Sequence, residues 1–110
     1  MQYALLIYST TEGSRPAAER LGPIDPRISA VLERPSVLNW ARLRDPESAT
    51  TIRHDAGKTL LVDGPFIDSK EFLGGVIVVE ADDLDGALAV ADELQKTRTD
   101  GAIEVRPLLP

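Results

Sequence analysis

The sequence has no cysteine and a single histidine, His54, so the side chains that most often bind transition metals are scarce. Disulfides and thiolate metal sites are therefore excluded, and no His-x-x-x-His or Asp-x-Asp-x-Asp spacing favours a zinc or calcium site. We expect no metal and no cofactor. Apolar runs are also short, at residues 4–8 and 76–79, far below the roughly 20 residues that span a membrane.

Positive charge is scarce as well. The chain carries 12 Lys and Arg residues against 18 Asp and Glu residues, which gives a net charge of −6. An acidic domain repels nucleic-acid phosphates and anionic lipids, so we expect no nucleic-acid partner and no membrane partner. The first residues lack the basic stretch of a signal peptide. The lack of cysteine also suits a reducing compartment, and we expect a cytoplasmic protein.

What the chain does have is the composition of one soluble domain over residues 1–110, with 43% hydrophobic and 27% charged residues. Apolar periodicity predicts strands over residues 2–8, 37–43, 75–81 and 102–108, a hairpin of strands 49–54 and 59–62, helices over 26–34 and 82–96, and a helical turn or short helix over 16–21. This order, β-α-β, a hairpin, then β-α-β, is typical of the ferredoxin-like split βαβ pattern of the α+β class, with an extra β-hairpin.

Two of the predicted strands are apolar on both faces. Residues 3–8 and 76–79 place large apolar side chains on alternating sides of a sheet. Two helices cover only one face, and an exposed apolar face is a liability. The natural cover is another copy of the sheet packed face to face. The pattern therefore predicts a homodimer through the open sheet face.

The stretch from Asp63 to Gly75 is rich in residues that shape a loop. It contains Asp63-Gly64-Pro65-Phe66, the charged pair Lys70-Glu71 and a double glycine. We expect a cleft here that also includes Tyr8 and in which Phe66 buries its ring. Asp63 and Glu71 are the candidate catalytic bases for proton transfer. Tyr8, Phe66 and Lys70 are candidate ligand-binding residues, with Arg53 or His54 at the rim.

Each of these residues also has a purely structural interpretation. The Asp63 carboxylate can cap backbone N–H groups of an Asp-Gly-Pro turn, and Lys70 with Glu71 can be a solvated ion pair. His54 suits an exposed position beside the hairpin turn. Trp40 suits core or interface packing better than ligand stacking.

Four segments are informative together: residues 2–8 (QYALLIY), 58–66 (KTLLVDGPF), 70–75 (KEFLGG) and 101–108 (GAIEVRPL). In this order they resemble the YCII-related superfamily, and more closely its DGPF-domain branch, named for the tetrapeptide at Asp63 to Phe66. The resemblance spans most of the chain and is weak over residues 10–36, where the chain has glycine and prolines instead of a regular helix.

The resemblance implies a dimeric α/β barrel, like that of muconolactone isomerase and related small-molecule enzymes. The YCII branch has a proposed His–Asp pair with the histidine in the first half of the chain. The single histidine here, His54, lies in a predicted hairpin strand and is not matched to that histidine. Some DGPF-type proteins resemble companions of sigma factors. Two functions therefore stay open: a small-molecule binder or cofactor-independent enzyme that uses the Asp63–Gly75 loop, and a non-catalytic homodimeric regulatory module.

Overall fold

A computed structural model describes residues 1–11 and 22–110 of the chain. The strands are β1 (Gln2–Thr10), β2 (Val37–Arg42), β3 (Thr50–Asp55), β4 (Lys58–Asp63), β5 (Glu71–Glu80) and β6 (Ala102–Pro107), and the helices are α1 (Pro26–Leu32) and α2 (Leu84–Gln95). A single 3₁₀ turn over Pro46–Ser48 precedes β3. The helical turn expected over residues 16–21 lies outside the described residues.

The main sheet has four strands in the order β2-β5-β1-β6, and every neighbouring pair is antiparallel. β1 lies in the interior, where it pairs with β5 on one side and β6 on the other. With two helices and this strand order, the fold is α+β and consistent with the ferredoxin-like class. The predicted element order is confirmed, and most predicted boundaries lie within two residues of the observed ones.

The core lies between one face of this sheet and the two helices. Leu5 and Val79 sit on neighbouring strands and are fully buried. Ala87 and Ala91 are the small residues of α2 that let the helix approach the sheet closely, and Val31 brings α1 to the same core. Apolar burial of this kind supplies the main stabilisation of such a domain.

Both helices begin at aspartates that act as caps. The Asp25 carboxylate accepts a hydrogen bond from the N–H of Arg27, and Pro26 occupies the first position of α1. The Asp83 carboxylate accepts a hydrogen bond from the N–H of Gly86 at 2.9 Å. Of the adjacent aspartates Asp82 and Asp83, it is Asp83 that caps α2. Neither helix is long and apolar enough to cross a membrane.

The other face of the sheet, the open face, carries no described helix. Strand alternation places Ala4, Leu6, Val76 and Val78 on it, because their neighbours along each strand point into the core. Ala4 is buried between its neighbours, whereas the other three side chains are half-buried. An ion pair between Arg106 and Glu104 borders this apolar centre on β6.

The hairpin β3–β4 forms a separate two-stranded sheet, which we call the arm (Thr50–Asp63). Its turn consists of Ala56 and Gly57, both with positive φ, at 47° and 78°. Such a turn matches the right-handed twist of the two strands. Neither strand of the arm pairs with the four-stranded sheet.

Candidate functional site

A cavity of about 330 Å³ lies on the helix side of the sheet, between α1, the C-terminal end of α2 and strands β1, β2 and β5. Apolar residues make up much of its wall, including Ile7, Ile24, Ile28, Leu32, Trp40, Leu43, Phe72, Ile77, Leu94 and Ile103. Polar residues are interspersed among them, including Ser9, Asp25, Arg42, Asp45, Thr97, Arg98 and Asp100. A concave, mostly apolar space with a few polar groups is the usual form of a small-molecule site.

A β-bulge in β5 shapes the sheet at this cavity. Ile7 pairs with Gly75 and Tyr8 pairs with Leu73, so Gly74 is the extra residue. The bulge places Phe72, Gly74 and Gly75 along the cavity wall. Bulges of this kind often lie beside functional sites, where they re-aim side chains.

Gly75 also permits a close approach between strands. A Cβ added there would lie 3.1 Å from the carbonyl oxygen of Ala41 on β2 and 3.8 Å from the side chain of Ile7. The double glycine was expected to end a loop that ran to residue 75, and this expectation is wrong. β5 already begins at Glu71, because residues 71–73 pair with residues 8–10 of β1. The connecting loop is therefore confined to residues 64–70.

Arg98 supplies the most highly connected polar group of the cavity. Its guanidinium donates to the carbonyl of Tyr8 at 2.6 Å, to the Ser9 hydroxyl at 3.2 Å and to the Gln95 side chain at 3.1 Å. Arg42 donates to the carbonyl of Gly22 at 2.9 Å. Both guanidinium groups are thus held in fixed positions at the cavity wall, where their positive charge favours a ligand with an anionic or acceptor group.

Asp25 contributes the carboxylate whose contacts are best defined. It caps α1 and also forms an ion pair with Arg27 at 2.8 Å. This hydrogen bond and the attraction between the two charges raise the pKa of Arg27 above its ordinary value. Among the described residues, no group of three His, Asp or Glu side chains is placed to hold a metal ion.

None of the seven residues predicted for a site from the sequence is among the described residues that line this cavity. Asp63, Lys70 and Glu71 are exposed, at the base of the arm and in the loop that follows it. The Asp63 carboxylate caps no N–H group of the described residues; instead, the N–H of Gly64 donates to Ala49 and the Thr51 hydroxyl donates to Gly64. The catalytic roles of Asp63 and Glu71 stay predictions.

The structure does bring some predicted site residues together in pairs. Tyr8 and Glu71 share the open face at one end of the sheet, because Tyr8 is opposite Leu73 and Glu71 lies two residues before it. The Arg53 guanidinium lies 5.3 Å from the centre of the Phe66 ring. That ring is 67% exposed, so the expectation that Phe66 buries its ring is wrong for the single chain.

His54 and Trp40 lie on different sheets of the fold. His54 lies on β3 near the tip of the arm and is exposed, as expected. Trp40 is 42% exposed and lies on the cavity wall. Sequence reasoning favoured packing for Trp40, and the cavity gives its indole a surface on which a ligand can stack.

Sequence reasoning missed Arg98, Phe72 and Ser9 as residues of a cavity. Arg98 follows a helix, where a basic residue also complements the helix end. Phe72 lies in the stretch that was expected to be a loop, and Ser9 lies beyond the strand predicted over residues 2–8. The double glycine was the available signal, since consecutive glycines within a strand indicate a bulge or a close backbone approach.

A family model described as the YCII-related domain matches residues 1–110. The chain belongs to the YCII-related family. This YCII-related chain is also 37% identical over 117 residues to an uncharacterised protein of Rhizobium meliloti (strain 1021), with 98% of the chain and 92% of that protein covered. The relative's description names no ligand or reaction.

Proposed function

We propose that this YCII-related protein binds a small, largely apolar molecule with a polar end in the cavity on the helix side of its sheet. The observation that carries the proposal is the wall itself, because the aromatic side chains of Trp40 and Phe72 and the fixed guanidinium of Arg98 line the same cavity. Apolar surface supplies affinity in such sites, and a few polar groups orient the ligand. The volume of about 330 Å³ corresponds to roughly ten water molecules, which suits a small metabolite.

A second site has its own support, from the shared position of Tyr8 and Glu71 on the open face. In this proposal two copies pack sheet to sheet as a homodimeric α/β barrel. Glu71 then serves as the base for proton transfer on a molecule held between the sheets, without a cofactor. Glu71 suits this role better than Asp63, which lies at the base of the arm.

A thermal-shift screen against a metabolite library tests the binding proposal, because a ligand that binds only the folded state raises the melting temperature. Two variants then assign the site. Ile28→Trp fills the cavity and should abolish the shift, with Leu84→Trp as a control on the exposed part of α2. Glu71→Gln should preserve the shift. Loss with Glu71→Gln and retention with Ile28→Trp would move the site to the open face.

The remaining alternative is a non-catalytic homodimeric interaction module, in the manner of a sigma-factor companion. A screen without any stabilising ligand would favour it over the binder. The tetrapeptide Asp63-Gly64-Pro65-Phe66 supports placement in the DGPF branch under either function. We retain a cytoplasmic location as part of the proposal.

A further inference from the structure

The arm exposes apolar side chains on both of its faces. Ile52 and Leu61 are a cross-strand pair on one face and are 64% and 69% exposed. Leu60 and Val62 lie on the other face and are 43% and 52% exposed. Phe66 and Ile67 extend this apolar surface just beyond the arm. We call these six side chains the arm surface.

A two-stranded hairpin has little means of stability on its own. In the described chain its strands pair with each other and not with the four-stranded sheet. An isolated hairpin is marginal in water unless it packs against a further apolar surface. Both faces of the arm offer such a surface, because the alternation of β3 and β4 places two large apolar side chains on each face. We therefore expect the arm to pack against a further apolar surface in solution.

Charge favours a second copy as that cover. The arm carries Arg53 and Lys58 against Asp55 and Asp63, so it is neutral when His54 is neutral, whereas the whole chain has a net charge of −6. A neutral arm approaches another acidic copy without the repulsion that most surfaces of this chain meet. A neutral arm carries no net positive charge that would attract nucleic acid or anionic lipid.

The area is also sufficient for a substantial part of a dimer interface. Six large apolar side chains exposed to this extent offer on the order of 600 Å², against roughly 800 Å² buried by each partner in a standard interface. The apolar centre of the open face can supply the remainder. An exposed apolar area of this size commonly marks an interaction surface.

We infer that the β3–β4 hairpin is a dimerisation arm that buries the arm surface against a second copy of the chain. The Arg53–Phe66 pair then lies at the interface. This explains why the sequence-predicted site residues form no cavity within one chain: the partner completes their surroundings. The inference rests on the proposed homodimer but not on the ligand, and each has a separate measurement.

Sedimentation equilibrium measures the mass of the protein against concentration. The unmodified protein should reach twice the 11.9 kDa of one chain. The double variant Ile52→Glu with Leu61→Glu should weaken dimerisation at least tenfold, because it places charge on one face of the arm surface. Leu109→Glu changes a leucine that is 95% exposed outside the arm and is the matched control. It should dimerise as the unmodified protein does.

An arm deletion tests the inference without introducing charge. The N–H of Gly64 donates to the Ala49 carbonyl at 2.8 Å at the base of the arm, so a short Gly-Ser turn can replace residues 50–63. The four-stranded sheet does not include these residues, and circular dichroism should show it intact. The shortened protein should be monomeric at concentrations where the full chain is a dimer. A dimer of unchanged affinity overturns the inference.

The Val78→Asp variant distinguishes a dimer interface through the arm from one through the open face. Loss of dimerisation in the arm variants alone supports the arm, and loss in Val78→Asp alone overturns it while keeping the sheet-to-sheet dimer. Loss in both supports an interface that includes both surfaces.

Hydrogen exchange on the unmodified protein requires no variant to fold. Protection of the amides of residues 50–63 should rise with protein concentration, and a monomer or an unchanged protection pattern overturns the inference.

Discussion

Arg98 donates a 2.6 Å hydrogen bond to the main-chain carbonyl of Tyr8, which lies 90 residues earlier in the chain. The same guanidinium donates to the Ser9 hydroxyl and to the Gln95 side chain. The end of α2 is thereby joined to the end of β1 at the cavity wall. A fork of several N–H donors can hold both elements at once, which a single ammonium cannot do as well.

Arg98→Ala should lower the free energy of unfolding by about 2 kcal/mol, because it removes charge-assisted hydrogen bonds and leaves a part-buried carbonyl without its donor. Arg98→Lys should recover only part of this loss. Urea unfolding followed by circular dichroism provides the measurement. A change of less than about 0.5 kcal/mol for Arg98→Ala, the range of an ordinary surface substitution, would contradict the structural role.

Two glycines with nearly the same positive φ provide a matched pair. Gly57 has φ 78° and no atom within 4 Å of an added Cβ, whereas Gly101 has φ 75° and a Cβ there would collide with the Tyr8 carbonyl and the Arg98 guanidinium. Gly57→Ala should cost about 1 kcal/mol from backbone strain alone. Gly101→Ala should cost at least about 2 kcal/mol more, since a neighbour must move. Equal thermal stabilities of the two variants would disprove the close approach.

Asp83 and Asp82 provide a similar comparison at the start of α2. Only Asp83 accepts a hydrogen bond from the N–H of Gly86. Asp83→Ala should therefore destabilise the protein by about 1 kcal/mol. Asp82→Ala loses only the attraction of a charge near the positive helix end, about 0.3 kcal/mol. The measurement is the denaturant midpoint of each variant, at equal m-values. A larger loss of stability for Asp82→Ala than for Asp83→Ala would show that Asp82 is the cap.

Phe66 and Leu5 contrast an exposed and a buried apolar side chain. Phe66 is 67% exposed and Leu5 is fully buried. At low protein concentration Phe66→Ala should cost under about 1 kcal/mol, mainly the contact of its ring with Arg53. Leu5→Ala should cost about 3 kcal/mol because it leaves a cavity in the core. A loss with Phe66→Ala that grows with protein concentration is the expected signature of the arm interface.

The element order could be predicted because its signals are local. Pro26 after Asp25 begins α1, and the alternation of apolar residues in β1 and β5 marks strands with a core face. The hairpin was predicted from β-branched residues on either side of Asp55-Ala56-Gly57, and the structure confirms it. These features depend on residues within a few positions of one another.

The site was less accessible to sequence reasoning. The charged loop suggested a cleft around Asp63 and Lys70, but a loop acquires a pocket only when distant elements surround it. The described cavity instead joins Ser9, Trp40 and Arg98, which are widely separated in the chain. Their proximity follows from the pairing of β5 with both β1 and β2, and no local pattern reports that pairing.

By itself the sequence determined the class of fold, the family, the acidic character and the absence of thiol chemistry, because composition, periodicity and short motifs carry these properties directly. The tertiary structure decided that Gly74 is a bulge within a strand, that Val78 rather than Val79 points away from the helices, and that the arm leaves its apolar residues uncovered. Each of these depends on strand register and on which surfaces meet, which is settled by packing across the whole chain.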